Sequence, residues 1–340
     1  MKGTRLLLAI ILLCPAFSAR LSGQEKPAAG LTIGFYNIEN LFDTIDDPAK
    51  SDEDFLPGAR VSWNSVRYQE KLSHMARAVA AIGGNELPAV VGLAEVENLA
   101  VLNELVKTPP LDRGGYKAIL VEGSDPRGID VALIYREGVV RCTGYNSHPS
   151  AGSFKTRSLL YVQLTDSRKD VFHVFVNHWK SRSGGAAETE PQRLENARFL
   201  RKRIDSLQAV NPGAKIIIMG DLNDEPSNRS VEEVLGARPA SGKTVSSGLY
   251  NLMYDLYRAG EGTLYYKDWD LFDQLIVTGN LLSPPRGKGP KVRDARGFIL
   301  KADWLLYQNR DGVMVPNRTA GSREYFGGYS DHLPVYLVID

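Results

Sequence analysis

The chain contains very little cysteine: its 340 residues include two, Cys14 and Cys142. Cys14 lies in an apolar N-terminal segment that we expect to be cleaved off, which leaves a single thiol. One thiol excludes an internal disulfide framework and a cysteine-ligated metal cluster. Stability must therefore come from a hydrophobic core, for which this length suffices. Any metal site must use oxygen and imidazole ligands.

The chain also lacks an excess of positive charge. Lys and Arg number 41 and Asp and Glu number 40, so the formal net charge is +1. The strongly basic composition that is typical of tight, sequence-independent nucleic-acid binding is therefore absent. A local pocket that turns over a phosphate substrate is compatible with this balance.

The N-terminal apolar run is too short to span a bilayer. Leu6–Leu13 follows the cations Lys2 and Arg5 and precedes the small residues Ala16 and Ser18. This order is typical of a cleaved secretory signal peptide rather than of a membrane anchor. We expect no stable membrane insertion.

We therefore predict a signal peptide over residues 1–22, with an approximate boundary, and a short polar lead-in over residues 23–30. The protein would be exported, to the periplasm or the extracellular space. Lipid attachment at Cys14 is disfavoured because Leu13 is bulky where a small residue is expected.

Strand-like apolar runs occur along the rest of the chain, without an internal repeat. Continuous runs such as Ile216–Met219 indicate strands that are buried on both faces, so other layers must cover the sheets. The pattern predicts nine strands: Leu31–Tyr36, Ala89–Ala94, Lys117–Val121, Asp130–Tyr135, Leu159–Leu164, Val171–Val176, Lys215–Met219, Gln274–Thr278 and Pro334–Ile339.

Helical spacing of apolar residues predicts helices over Val66–Ile82, Val101–Val106 and Pro191–Val210, the last with its proline in the first turn. The polar, Gly-containing stretch Thr143–Lys155 predicts a loop. Several strands follow one another directly, which indicates mixed sheets with hairpins. We therefore predict one α/β catalytic domain over residues 31–340, with two packed sheets between helices.

Polar residues cluster where several predicted strands end. In Gly220-Asp221-Leu222-Asn223, the two polar side chains are two residues apart and share a face. Asp221 could orient or deprotonate a water, and the Asn223 amide could donate to a phosphate oxygen. The alternative interpretation is an Asx turn at a strand end.

Similar clusters occur at Asn37-Ile38-Glu39, at Glu95 and at Asn177-His178. Glu95 follows a buried strand, and one or two carboxylates at such a position suit Mg²⁺; the alternative is a solvated glutamate. The last cluster is Ser330-Asp331-His332, whose imidazole Asp273 could orient and stabilise in its cationic form.

The order and spacing of these clusters resemble the endonuclease/exonuclease/phosphatase superfamily, which includes deoxyribonuclease-I-like nucleases, and in particular its exported bacterial nuclease-like members. The resemblance spans about Leu31 to Asp340. It implies a four-layer α/β sandwich of two packed mixed β-sheets flanked by helices. It also implies a Mg²⁺ or Mn²⁺ site with Glu95 as the principal ligand, supported by Glu39 and Asp331.

The resemblance further implies in-line attack of water on phosphorus. Asp221 would orient the water, and Asn37 and Asn223 would hold Asp221 and the phosphate. His178 and His332 would stabilise charge on the phosphoryl oxygens. Either Asp221 or His332 could be the proton acceptor at this stage.

Four cations are candidate substrate contacts. Arg157 could bind a phosphate bidentately, and Lys180 and Arg182 lie in a small, Gly-rich segment after His178. Some nuclease members carry a tyrosine where this chain has Arg127, which would contact the phosphate instead. For Arg157, Lys180 and Arg182 the alternative interpretation is a solvated surface residue.

We expect the protein to be a monomer. We also expect its substrate to be nucleic acid, because Arg310–Tyr329 interleaves cations and aromatic residues as a loop that grips a nucleic-acid strand does. The alternative for this segment is a cover loop that packs its own aromatics. The alternative functions are a phosphomonoesterase or lipid phosphodiesterase, acting on a small phosphoester or phospholipid head group, and a non-catalytic binding protein on the same scaffold.

Overall fold

The computed structural model describes residues 30–149, 157–321 and 324–340. The predicted signal peptide and nearly all of the polar lead-in lie outside these residues. None of the helices in the described residues has the length and apolar character needed to cross a membrane.

The described residues form seventeen strands. In chain order they are β1 (Leu31–Leu41), β2 (Val90–Val96), β3 (Tyr116–Leu120), β4 (Asp130–Arg136), β5 (Val140–His148), β6 (Leu159–Asp166), β7 (Val171–His178), β8 (Lys215–Asp221), β9 (Ala237–Pro239), β10 (Leu249–Asn251), β11 (Leu264–Tyr265), β12 (Trp269–Asp270), β13 (Asp273–Thr278), β14 (Phe298–Ile299), β15 (Leu306–Gln308), β16 (Met314–Pro316) and β17 (Val335–Ile339).

Thirteen of these strands form two large mixed sheets. The first has the order β14-β17-β1-β2-β4-β3 and the second the order β5-β6-β7-β8-β13-β10-β9. In the first sheet β1 runs parallel to β2 and antiparallel to β17. In the second, β7 runs parallel to β8, and β13 antiparallel to it.

Within the part of the chain that the structure describes, four α-helices accompany the sheets: α1 (Ser65–Ala81), α2 (Leu99–Lys107), α3 (Ala186–Val210) and the short α4 (Tyr254–Arg258). The Asn64 side chain caps α1 by accepting from the backbone N–H groups of Val66 and Arg67. Residues of α1 and α2 pack on the outer face of the first sheet, and residues of α3 on the outer face of the second.

Strand β8 shows why this arrangement has four layers. Ile217 and Met219 point into the core between the two sheets, whereas Ile216 and Ile218 point into the core beneath α3. A strand places successive side chains on opposite faces, so a continuous apolar run needs cover on both. Full burial of each such side chain is worth about 1.5–3 kcal/mol. The predicted four-layer sandwich is confirmed.

Two local predictions were wrong. Helix α3 begins at Ala186, and Pro191 lies inside it rather than in its first turn. The buried Arg193 side chain stabilises this earlier start by donating to the Ala186 carbonyl and to the Thr189 hydroxyl.

The second wrong prediction concerns residues 143–148, which belong to strand β5 rather than to a loop; the rest of the predicted loop, from residue 150, lies outside the described residues. This strand is at the edge of the second sheet, where most of its side chains face solvent. It therefore lacks the apolar pattern by which strands are recognised.

Candidate active site

Polar side chains from both sheets meet at one end of the sandwich. The parallel strands β7 and β8 end there, and His178 is the register partner of Asp221. The antiparallel strand β13 begins there, which places Asp273 opposite Asp221. From the first sheet, Asn37 and the Ser330 segment before β17 reach the same place.

His332 lies between two buried carboxylates. Its Nδ1 is 2.7 Å from Asp273 Oδ2, and its Nε2 is 3.8 Å from Asp221 Oδ2. Burial alone would lower the pKa of His332, but the charges of Asp273 and Asp221 hold it well above its ordinary value. The imidazole is therefore cationic at neutral pH, with Nε2 directed toward Asp221.

Asp221 is fixed by amide donors from both sheets. The Asn37 amide donates to Oδ2 at 3.1 Å, and the backbone N–H of Asn223 donates to Oδ1 at 2.9 Å. Burial raises the pKa of Asp221 from 3.8 to about 6, against the opposing charge of His332. A carboxylate with this pKa is mostly ionised at neutral pH and can still accept a proton.

Asn37 itself is held by the segment before the last strand. The Ser330 hydroxyl donates to the Asn37 carbonyl at 2.7 Å, and the backbone N–H of His332 donates to that hydroxyl at 3.1 Å. Asn223 is held from the other side, where its amide donates to the Trp179 carbonyl at 3.2 Å. The Asn37–Asp221 bond therefore joins the two sheets across their interface.

His178 is buried beside Arg157. Arg157 Nη2 lies 3.3 Å from His178 Nε2, and Arg157 Nε lies 3.3 Å from Asp125 Oδ2. Because a guanidinium has only donors, this hydrogen bond uses the Nε2 lone pair and leaves the proton of the neutral ring on Nδ1. Burial, followed by the charge of Arg157, holds the pKa of His178 well below its ordinary value.

Glu95 lies at the end of β2 with one carboxylate oxygen turned toward the cluster. Its Oε2 accepts from the backbone N–H of Asn40 at 3.1 Å, and its Oε1 is 3.8 Å from His178 Nε2. Among the described residues, no three His, Cys, Asp or Glu side chains form a complete metal-holding group. Mg²⁺ does not need one, because it is usually bound by one or two carboxylates plus waters and substrate oxygens. Glu95 fits that requirement.

Backbone strain accompanies these carboxylates. Glu39, Asn40, Glu95 and Asn223 have φ values of 48°, 54°, 65° and 50°. Residues other than glycine rarely adopt this left-handed region, and each instance costs about 1–3 kcal/mol unless the side chain compensates. Such strain concentrates at functional sites, where the surrounding structure enforces it.

Glu39 is already satisfied by protein donors. Its Oε2 accepts from the Thr319 N–H at 2.7 Å, and its Oε1 accepts from Arg318 Nε and Nη2 at 3.2 and 3.1 Å. Arg318 Nη2 also lies 3.3 Å from Asp331 Oδ2. Burial, with the charge of Asp331, raises the pKa of Glu39 to about 7. Its expected support of a metal ion would have to compete with these bonds.

The remaining predicted substrate contacts differ in availability. Arg182 donates to the Asn223 carbonyl at 2.8 Å and to the side chains of Asp224 and Asn228. These bonds hold the chain after β8 and occupy the guanidinium. Arg127 is half exposed and pairs with Asp125 at 3.7 Å, whereas Lys180 is partly exposed directly after Trp179.

The aromatic residues of Arg310–Tyr329 mostly pack inward. Tyr329 is buried and stacks on His74 with ring centroids 4.5 Å apart. Tyr325 donates its hydroxyl to Glu70 at 2.8 Å, and only Phe326 is mainly exposed, at 52%. This arrangement favours the cover-loop interpretation; Arg323 of this segment lies outside the described residues.

Two residues that support the candidate site, Lys71 and Asp125, were not predicted from the sequence. Lys71 is fully buried and donates to the Tyr329 carbonyl at 2.7 Å, and burial lowers its pKa to about 8. Lys71 directly precedes Leu72, which lies on the apolar face of the predicted helix. This position could have indicated that the lysine is buried. Asp125, which anchors Arg157, lies in an ordinary turn sequence and gave no such signal.

Three solved structures similar to the chain each cover 91% of it. They are an endonuclease/exonuclease/phosphatase family protein from Bacteroides thetaiotaomicron (16% identity, TM-score 0.57, 97% of that chain), D. rerio TDP2 complexed with single-strand DNA product (17%, 0.56, 98%) and a Bacteroides thetaiotaomicron mannosyl-6-phosphatase (16%, 0.55, 99%). At these identities the likeness establishes the fold. A comparison with curated proteins found no match.

A family model gives the stronger result. The model described as "Endonuclease/Exonuclease/phosphatase family" matches residues 32–340. This match runs from β1, through both sheets and every polar cluster of the candidate site, to the last residue of the chain. The chain therefore belongs to the Endonuclease/Exonuclease/phosphatase family, whose members are hydrolytic phosphoesterases.

Proposed function

We propose that the chain is an exported, Mg²⁺- or Mn²⁺-dependent phosphodiester hydrolase, with nucleic acid as its substrate class. The observation that carries the proposal is the cluster in which Asp221 accepts a hydrogen bond from Asn37 and lies 3.8 Å from the Nε2 atom of His332 and 3.5 Å from that of His178. Such a buried, oriented carboxylate beside a cationic imidazole suits water activation next to a phosphoryl group.

In the proposed reaction, Asp221 orients a water and accepts its proton as the water oxygen bonds to phosphorus. The bond from phosphorus to the leaving oxygen breaks in line. His332 is unsuited to accept that proton because Asp273 and Asp221 keep it protonated. It instead donates from Nε2 to a phosphoryl oxygen, so the two residues take complementary roles.

Charge on the phosphate would be stabilised from two further directions. A divalent ion held by Glu95 would supply charge neutralisation of the phosphoryl oxygens when bound. Arg157 lies beside His178 and is anchored by Asp125, so its guanidinium is fixed at the edge of the cluster. In this arrangement His178 orients Arg157, and Arg157 supplies the donors to the phosphate.

The substrate class depends on the side chains that surround the cluster. Arg127 offers an exposed cation and Lys180 a partly exposed cation near the cluster, and Phe326 offers an exposed ring, as polynucleotide binding requires. The inward packing of Tyr325 and Tyr329 favours the alternative, a smaller phosphoester such as a sugar phosphate, an inositol phosphate or a phospholipid head group.

The reaction is tested with bis(p-nitrophenyl) phosphate in Mg²⁺ or Mn²⁺. We expect turnover that is lost in excess chelator and reduced at least about 10²-fold by Glu95→Gln and by Asp221→Asn. The matched control is Asp255→Asn, which removes an exposed carboxylate on α4 and should retain activity. Full activity in chelator would refute the metal requirement, and an inactive wild type would favour a binding protein.

A substrate panel then separates the classes. Plasmid DNA, single-stranded DNA, RNA, an inositol phosphate, mannose 6-phosphate and sphingomyelin vesicles are compared by kcat/KM under the same conditions. Cleavage of a polynucleotide that weakens as salt rises supports the nuclease proposal, because phosphate contacts release counterions. Hydrolysis confined to a small phosphoester or to the vesicles would overturn the nuclease proposal.

A further inference from the structure

An arginine lies where two site carboxylates approach each other. Arg318 Nη2 is 3.1 Å from Glu39 Oε1 and 3.3 Å from Asp331 Oδ2. Glu39 comes from β1, whereas Asp331 lies directly before His332. A single donor nitrogen therefore bridges two acidic groups that are far apart in sequence.

The arginine is held in place by its neighbours. The next residue, Thr319, donates its N–H to Glu39 Oε2 at 2.7 Å and its hydroxyl to the Tyr329 carbonyl at 2.8 Å. On the preceding side, the Asn317 N–H donates to the Leu305 carbonyl at 2.8 Å. Because the flanking backbone is fixed on both sides, the position of Arg318 is prepared before any ligand binds.

This position is one that a divalent ion would otherwise use. Two carboxylates that converge on one point are typical ligands of a divalent ion, and an ion bound by both would lie between the same two oxygens. Arg318 Nη2 already lies there. The guanidinium keeps its charge at any ordinary pH, so it places one permanent positive charge between the two carboxylates.

We propose that Arg318 is a built-in cation that takes the place of a second metal ion between Glu39 and Asp331, so that the chain binds one divalent ion, at Glu95. The inference rests on the proposed function only in assigning a divalent ion to Glu95. It changes the role of Glu39 from metal support to the anchoring of Arg318.

The proposal is tested by counting Mn²⁺ ions on the full chain, by isothermal titration and by electron paramagnetic resonance of the unbound ion. We expect one ion for the wild type and two for Arg318→Gln, because the variant removes the cation that lies between the two carboxylate oxygens and leaves that position open. Arg310→Gln removes an exposed arginine from the same segment and should bind one ion, as the wild type does.

Thermal unfolding gives an independent readout. Without metal, Arg318→Gln should melt below Arg310→Gln, and saturating Mn²⁺ should raise its Tm by more than it raises that of the wild type. An equal Tm increase in the two chains would contradict the inference.

Each ion count decides the question. Two ions on the wild type, or one ion on an Arg318→Gln variant with native circular dichroism, would overturn the inference. If Arg318→Gln does not fold, Arg318→Lys retains the charge and should bind one ion, and two ions on it would overturn the inference. A wild type that hydrolyses phosphodiesters with two ions bound keeps the proposed function while this inference fails. A wild type that binds one ion but does not hydrolyse phosphodiesters would keep this inference while the proposed function fails.

Discussion

His332 Nδ1 lies 2.7 Å from Asp273 Oδ2, and both side chains are buried. Asp273 thereby fixes which ring nitrogen of His332, Nε2, is directed at Asp221. The charge of Asp273 also keeps the ring protonated.

Asp273→Asn should lower the pH at which activity is lost on the alkaline side. The charge of Asp273 raises the pKa of His332, so its removal lets the imidazole lose its proton at a lower pH. An adjacent opposite charge is typically worth about 1–3 pKa units. The kcat/KM–pH profile is the measurement, and an alkaline limb at the wild-type position would contradict the role assigned to Asp273. Asp255→Asn should leave the profile unchanged.

Asp221→Asn should reduce turnover and increase stability. Burial raises the pKa of Asp221 from 3.8 to about 6, so the folded chain binds this proton more tightly than the unfolded chain. Asp221 therefore makes the wild type lose stability as pH rises from about 4 to about 6, and the asparagine variant lacks this contribution. Urea unfolding at pH 4 and pH 7 measures the difference.

The gain in stability of Asp221→Asn over wild type should be larger at pH 7 than at pH 4. The opposite order would contradict a raised pKa of Asp221.

The double variant Asp221→Asn with His332→Ala should lose less turnover than the product of the two single losses. Groups that act on one transition state do not have additive effects, and steady-state kinetics on the three variants is the measurement.

Lys180→Ala and Arg182→Ala should have different effects although the two residues are neighbours. Lys180 is partly exposed, so its removal should raise KM and reduce the salt dependence of binding while kcat changes little. Arg182 supports Asn223, Asp224 and Asn228. Its removal should lower kcat and cost about 1.5–3 kcal/mol of unfolding free energy per lost charged bond, before solvent exposure reduces that value.

Steady-state kinetics and urea unfolding on both variants distinguish the cases. If Arg182→Ala raises KM alone and leaves stability unchanged, then Arg182 contacts substrate directly, as the sequence had suggested. A loss of kcat in Lys180→Ala would assign that lysine to the reacting centre.

Gly220→Ala should disrupt the pairing of β7 with β8. A Cβ atom at residue 220 would lie 2.3 Å from the Asn177 carbonyl oxygen, and the backbone there must move. We expect a loss of about 1–3 kcal/mol of unfolding free energy or more, together with a fall in kcat, because His178 and Asp221 follow directly. Gly138→Ala is the control, since a Cβ at that position has no neighbour within 4 Å.

Sequence patterns located the strands that carry the site because those strands are apolar and buried on both faces. Asp221 and His178 each follow such a run, so their place at a sheet edge could be predicted. The convergence of Asn37 with Asp221 could not be derived from local patterns, because 184 residues separate them. Its prediction came from the resemblance to a family.

The same limit explains the interactions that were missed. Arg318 reaches Glu39 across 279 residues, and no local pattern distinguishes it from a surface arginine. Helix α3 starts before Pro191 because of bonds made by Arg193 to Ala186 and Thr189. Propensity and spacing do not encode such tertiary compensation.

The pairing of β1 with β17 has a consequence for when this protein can work. The first strand contributes Asn37, and the segment before the last strand contributes Ser330 and His332, which are joined by hydrogen bonds across 293 residues of sequence. A nascent or truncated chain that ends before Ser330 thus has neither the imidazole nor the hydroxyl that holds Asn37. The site is therefore incomplete until synthesis has passed His332 and the segment has joined Asn37, so activity reports on the closing of these two sheets.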